Sequence, residues 1–391
     1  MQTILFVRTV LAVPPNLIMA WEKRGYRVVK TEENFVPLAR EQVEDRITYF
    51  MQQDNIEAVF SFDFLLTLAE CCEQHRIKYI SWIVDCPHLP LLHKVADNPY
   101  AYKFVFDYEQ LQMLESRGIQ QTFHLPLCAS VETFQKCINE REGTRDYKAD
   151  VTFVANLYTS TKHMLYDRIT FLPPYVEGYL DALFSVQRKI WGEYLLYDGI
   201  GDSVWNQIKQ YVKADFKDNY QEGAYELFFS RLLAEKLTQL ERKEVCSYLA
   251  SHYDFVLYTE SDTSFDPMIK NEGSVDYLTE MPLVFHDSRI NIHITLRSIT
   301  SGVSQRVLDV LACGGFLLTN YQPEIAEYFV DGEELVMYSD FNDMYAKIDY
   351  YLAHEEERRR IAHAGYLKVK ELFNYDVGVG KIIEVVENKN E

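Results

Sequence analysis

A chain of 391 residues is too long for one ordinary hydrophobic core and implies two domains. With 48% hydrophobic and 25% charged residues it has the balance of a globular protein, which excludes a disordered or fibrous one. A net charge of −20 repels nucleic acid and anionic lipid at long range, so no nucleic-acid partner is expected and any anionic ligand needs a local basic pocket.

The apolar run that opens the chain is broken by Arg8 and lacks the basic start and small-residue cleavage pattern of a signal peptide. It reads as a first strand over residues 3–8. No run of about 18 apolar residues follows, so no transmembrane segment is expected. Seven cysteines without a Cys-x-x-Cys pair point to reduced thiols and a cytoplasmic location. Helical spacing over 15–24 stops at Gly25, and RVVKT reads as a second strand. The rhythm then repeats: a helix over 39–53, the strand EAVFSF, a helix over 64–75, and the strands KYISWIV, KFVFD and IQQTFHLPL. Such alternation predicts a parallel sheet with right-handed crossovers. The polar stretch EREGTRDYKAD reads as a linker, giving a first domain over 1–148.

The second half opens with the strand DVTFVANLY and is interrupted by a helical insert over about 163–250. Alternation resumes with DFVLYT, RINIHIT, QRVLDVLACG, FLLTN, PEIAEYF and LVMYS, which predicts a second doubly wound domain over 149–375. Residues 376–391 are expected to form a terminal helix that crosses back to the first domain. The fold class is therefore α/β, with two facing Rossmann-like domains and a helical insert in the second.

The segment RSITSGVSQRVLDVLACGGFLLTNYQPE, from Arg297 to Glu324, carries the densest chemistry. A strand runs into a loop containing Ser301, Gly302 and Ser304 and then opens a helix. This presents backbone N–H groups and the positive helix end at a strand's carboxyl edge, a natural anion site. Arg297 and Arg306 flank the loop and can neutralise a diphosphate leaving group, while Asp309 can accept hydrogen bonds from a ribose diol. The plainer alternative is that the serines are helix caps and Asp309 is solvated. In the first half, Asp85 and His88 end the strand of YISWIVDCPH at its carboxyl edge, where they can orient or deprotonate an acceptor hydroxyl. The alternatives are a turn-capping Asp85 and a structural His88. At the junction, Asn156, Tyr158 and Lys162 follow the strand DVTFVAN in a polar loop suited to phosphates. Tyr258 and Glu260, after DFVLYT, can meet a nucleobase or ribose. The pairs Gly199-x-Gly201 and Gly378-x-Gly380 lack the strand and spacing of a phosphate loop.

LDVLACGGFLLTNYQPEIAEYF resembles the donor-site block of group 1 glycosyltransferases, the retaining enzymes of GT-B fold. In that block a Glu-x7-Glu pair is common; here the second acid corresponds to Asp309 and the first position is Ser301. YISWIVDCPH, DVTFVANLY and INIHITLRSITSGVSQRVLDVLACGGFLLTNY together resemble the spore-maturation-protein-like subgroup over nearly the full chain. The resemblance implies a nucleotide-sugar donor on the second domain and a hydroxyl acceptor, whether glycan, protein or small molecule, on the first. It implies transfer with retention, no cofactor and no metal. The lack of an Asp-x-Asp pair, which would hold a divalent cation against the diphosphate, agrees with this. A nucleotide-sugar epimerase or phosphorylase of the same fold, and a non-catalytic nucleotide-sugar-binding module, are the alternatives. A homodimer is compatible with either.

Overall fold

The computed structural model describes residues 2–9, 13–141, 145–159, 165–169, 171–214, 216 and 219–388. The chain divides into two compact units. One comprises Met1–Ser130, Phe216–Ala224 and Phe373–Glu391, and the other Val131–Asp215 and Tyr225–Leu372.

The first unit holds six strands, β1 (Thr3–Arg8), β2 (Arg27–Asn34), β3 (Ala58–Phe62), β4 (Lys78–Ile83), β5 (Ala101–Val105) and β6 (Thr122–His124). They pair in parallel in the order β2-β1-β3-β4-β5-β6. The continuous apolar runs of β1 and β4 follow from burial on both faces, as parallel sheets require. Gly25 adopts φ +85° just beyond the helix Pro15–Glu22, a left-handed stop that costs a side-chain-bearing residue more. The terminal helix Tyr375–Asn388 belongs to this unit. Arg24 ties it down by donating to the Asp376 carbonyl at 2.6 Å, and Tyr375 meets the Trp82 ring edge to face at 6.0 Å.

The second unit holds β7 (Val151–Val154), β8 (Phe255–Tyr258), β9 (Ile290–His293), β10 (Leu317–Asn320) and β11 (Val336–Tyr338), all parallel in the order β11-β10-β9-β7-β8. The two sheets make the α/β class of the expected fold. Unit two begins well before residue 148, because the helix Val131–Asn139 turns Val131, Phe134 and Ile138 inward, at the i, i+3, i+7 spacing of one helix face. Phe134 packs on Tyr277 with ring centres 5.6 Å apart, and Gln135 donates to the Ala312 carbonyl at 2.9 Å. Chain order alone does not reveal that tertiary choice.

The helical insert has a core of its own, in which Val176, Leu180, Leu196, Ile208, Phe229 and Leu233 are buried together. Its last helix, Ala224–His252, is 29 residues long and threads two cores: Leu237 lies in the insert, whereas Val245, Cys246 and Leu249 lie against the sheet. The insert is also not one piece, since Phe216–Ala224 joins the first unit. There Lys94 N–H donates to Asn219 C=O at 2.8 Å and Gln221 N–H to Leu92 C=O at 2.9 Å. Among the described residues no helix is long and apolar enough to cross a membrane.

Gly378 marks the seat of the terminal helix. A Cβ placed there would stand 2.8 Å from both the Trp82 ring and the Cys128 sulfur. Gly378→Ala should therefore destabilise the first unit by about 1–3 kcal/mol, read as a lower denaturant midpoint; an unchanged midpoint would show the helix is not seated as described.

Candidate functional site

In the second sheet the strand order reverses between β7 and β9, so the loops leaving their carboxyl ends diverge and open a crevice. Side chains, not regular structure, shape those loops. The Asn156 carboxamide oxygen accepts from Tyr158 N–H at 2.7 Å and from the Ser261 hydroxyl at 3.0 Å, and Ser261 Oγ in turn accepts from Leu157 N–H at 2.9 Å. Tyr158 is held at φ +56°, a left-handed conformation unusual for a tyrosine. Beneath them lies Arg242, from the long helix Ala224–His252. Its guanidinium donates to the carbonyls of Asn156, after β7, and Ile294, after β9, both at 2.5 Å. It also lies 5.5 Å from the Tyr158 ring centre and 5.6 Å from that of Phe153. Burial pushes the Arg242 pKa below its ordinary value. Nothing local in the sequence marks this residue, which lies near the end of the predicted insert.

The crevice is a pocket of about 450 Å³. It brings together Asn156 and Tyr158 after β7, Tyr258 and Glu260 after β8, and Arg306 on the helix Gln305–Ala312. Tyr277 and Met281 complete it from a stretch with no helical or strand periodicity, which is why sequence patterning overlooks them. Asp309 accepts the Tyr277 hydroxyl at 2.9 Å, the Gln305 amide at 2.9 Å and Arg306 Nη1 at 3.1 Å. Burial pushes the Asp309 pKa up, and Arg306 opposes that shift. With 1% of its surface exposed, Asp309 is neither solvated nor presented to a ribose, contrary to both expectations; it orients Arg306 and Tyr277. Arg306, whose side chain is 29% exposed, faces the pocket.

Arg297 differs from its expected role. Its guanidinium grips both oxygens of Glu241, with Nη2 to Oε1 at 2.5 Å and Nε to Oε2 at 3.0 Å, and stacks 3.2 Å over Trp191. Both partners are almost wholly buried, so this cation is spent on the protein itself. Ser301 and Gly302 are buried as well. The Ser301 hydroxyl donates to Glu324 at 2.7 Å, and the Glu324 N–H returns to the Ser301 carbonyl at 3.1 Å. A carboxylate thus lies beside position 301, supplied from later in the chain. Ser304 occupies the N-cap of the helix Gln305–Ala312 but makes no side-chain cap; its Oγ lies 2.7 Å from His293 Nε2. Lys162 lies outside the described residues.

In the first unit Asp85 is exposed at the carboxyl edge of β4, and His88 is buried. His88 Nε2 lies 3.0 Å from Phe64 N and 3.1 Å from Phe64 O, and His88 N–H donates to Gln110 at 2.8 Å. Those contacts fix the ring in the packing after β3, so it holds that edge in shape. Asp63, at φ +57°, accepts the Val84 N–H at 2.9 Å and the Asp85 N–H at 3.3 Å, a support that sequence spacing does not suggest. Among the described residues, no three His, Cys, Asp or Glu side chains gather as a metal site would need.

His293 gives this region a pH signature. Burial, with Arg242 and Arg306 nearby, holds its pKa well below the ordinary 6.5. A histidine depressed in the folded state favours folding above its unfolded pKa and loses that stability as pH falls through 6.5 toward the folded value. The native chain should therefore lose stability relative to His293→Gln by up to about 1.4 kcal/mol per pH unit as pH falls below 6.5, measured by urea unfolding. Parallel pH profiles for the two proteins would contradict it.

Residues 235–384 match the family model described as glycosyl transferase-like, a span running from the long helix through the pocket helix into the terminal helix. No curated protein sequence matches the chain. Among solved structures, Anabaena HepE in complex with UDP-glucose is similar with a TM-score of 0.55 at 10% identity, covering 99% of this chain and 100% of that one. Sucrose-phosphate synthase from Thermosynechococcus elongatus is similar with a TM-score of 0.50 at 11% identity, covering 99% of each chain. With its two parallel sheets and helical insertions, the chain has the GT-B fold, two Rossmann-like α/β units, and carries a glycosyl transferase-like segment that lies mostly in the second and ends in the terminal helix of the first.

Proposed function

We propose that the chain is a glycosyltransferase that moves a sugar from a nucleoside-diphosphate sugar to a hydroxyl acceptor, with the donor held in the β7–β9 pocket. The observation that carries this reading is the convergence of Asn156, Tyr158, Tyr258, Glu260 and Arg306 on one 450 Å³ pocket at the point where strand order reverses. Tyr158 offers aromatic surface to a base and Glu260 a carboxylate to a ribose diol, while Tyr258, 3% exposed, backs the pocket wall. Arg306, held by Asp309 in the first turn of the helix Gln305–Ala312, supplies a charge-assisted contact to the diphosphate. Arg242 adds a buried positive charge behind the loop. HepE, of the same fold, was solved with UDP and with UDP-glucose, which supports a donor of that chemical class.

In this reading catalysis is electrostatic. Charge that develops on the departing diphosphate meets Arg306, so the step needs no metal. The leaving phosphate takes the acceptor proton, and the sugar is transferred with retention. Asp85, exposed at the end of β4, is the acceptor-side candidate of the first unit. A cytoplasmic location rests on the unpaired pattern of the seven cysteines, and a place in the spore-maturation-protein-like subgroup on the sequence motifs.

The test is incubation with a panel of labelled nucleotide sugars, followed by release of the nucleoside diphosphate. The parent should hydrolyse one donor slowly, and Arg306→Ala should weaken binding of the corresponding diphosphate about tenfold to a hundredfold, because hydrogen bonds to charged groups contribute about 1.5–3 kcal/mol. Undiminished binding in Arg306→Ala would move the donor elsewhere. Conversion of the free nucleotide sugar to an epimer would replace transfer by epimerisation.

A further inference from the structure

A second cavity in the same unit, about 420 Å³, lies at the opposite end of the strands, where β7, β8, β9 and β10 begin. Charged side chains line it, and nearly all are matched. Arg289 pairs with Asp150 at 2.7 Å, Asp287 with Arg141 at 2.6 Å, and Lys148 with Asp146 at 3.0 Å; Arg359 pairs with Glu355 one helical turn away. Arg358 is the exception. It is 6% exposed, its Nη1 donates to the Tyr351 carbonyl at 2.8 Å, and among the described residues it makes no ion pair. The remaining lining carboxylate, Asp254, is exposed to solvent.

A guanidinium has five N–H donors and stays charged, so burying it without a counter-ion is costly unless something else supplies the negative charge. Burial presses the Arg358 pKa downward and the neighbouring Arg289 and Arg359 add to that, whereas Glu355 and Asp150 oppose it without cancelling it. Arg358 lies in the first turn of the helix Glu355–Leu372, where Glu355, Glu356 and Glu357 already face the positive helix end, so the guanidinium itself and not the helix dipole is what the cavity offers an anion. A planar fork of donors in a cavity of this size suits a tetrahedral oxyanion better than a flat or apolar molecule.

We propose that this cavity is a second anion site, taking inorganic phosphate or a phosphate monoester on Arg358, with Arg359 at its rim. The site is independent of the sugar-transfer reading, because it uses the amino-terminal edge of the sheet and no residue of the β7–β9 pocket.

The test is phosphorus-NMR line broadening of inorganic phosphate, titrated into full-length Arg306→Ala protein so that the donor pocket contributes little. Saturable broadening is expected. Adding Arg358→Lys, which keeps the charge and loses the fork, should weaken the affinity about tenfold. Adding Arg359→Ala instead, which leaves the Tyr351 contact intact, should weaken it less. Absence of saturable broadening, or equal affinity in both added variants, overturns the proposal. If Arg358→Lys does not fold, a weaker affinity in Arg359→Ala than in the parent supports the proposal and an unchanged affinity overturns it. A glucose 6-phosphate titration then separates the sources: competition with phosphate identifies a monoester ligand, and its failure leaves the free ion.

Discussion

The second unit is organised around one guanidinium. Arg242 reaches from a 29-residue helix to the carbonyls of Asn156 and Ile294, which lie two residues and one residue beyond strands that run in the same sheet but send their chains apart. Such carbonyls have no ladder partners left, and a buried one without a donor is expensive. A single side chain therefore satisfies both and sets the distance between the loops. The pocket's floor, its left-handed Tyr158 and the direction of its helix all follow from that link.

Cation use explains why so acidic a chain can offer an anion a place. Two arginines are spent inward: Arg297 on Glu241 and Trp191, and Arg242 on backbone carbonyls. Arg306 keeps a partly exposed head, and its partner Asp309 lies behind it in the core. The arrangement resembles a charge held in position before a ligand arrives, which is what electrostatic stabilisation of a leaving group requires.

Much of this was readable in the residues. Alternating strands and helices, with buried parallel strands as continuous apolar runs, carry the α/β fold, and the polar residues just after DVTFVAN and DFVLYT mark the loops that the pocket uses. Partners chosen across long sequence separations were not readable. Arg297 and Arg306 look equivalent beside the serine loop, yet one meets Glu241 fifty-six positions away and is buried, and the other is not. The same holds for Ser301 with Glu324 and for the helix Val131–Asn139, whose polar flank reads as part of a linker until its apolar face finds the second unit. Local propensity specifies elements, whereas the burial of a particular charge is settled by tertiary packing.

Hydrogen–deuterium exchange with and without a saturating nucleoside diphosphate tests the central claim most directly, because it reports where the ligand slows local opening. The account predicts protection of residues 155–159, 258–261 and 274–281 and of the first turn of the helix Gln305–Ala312. Protection confined to other segments, with these four unchanged, would contradict it.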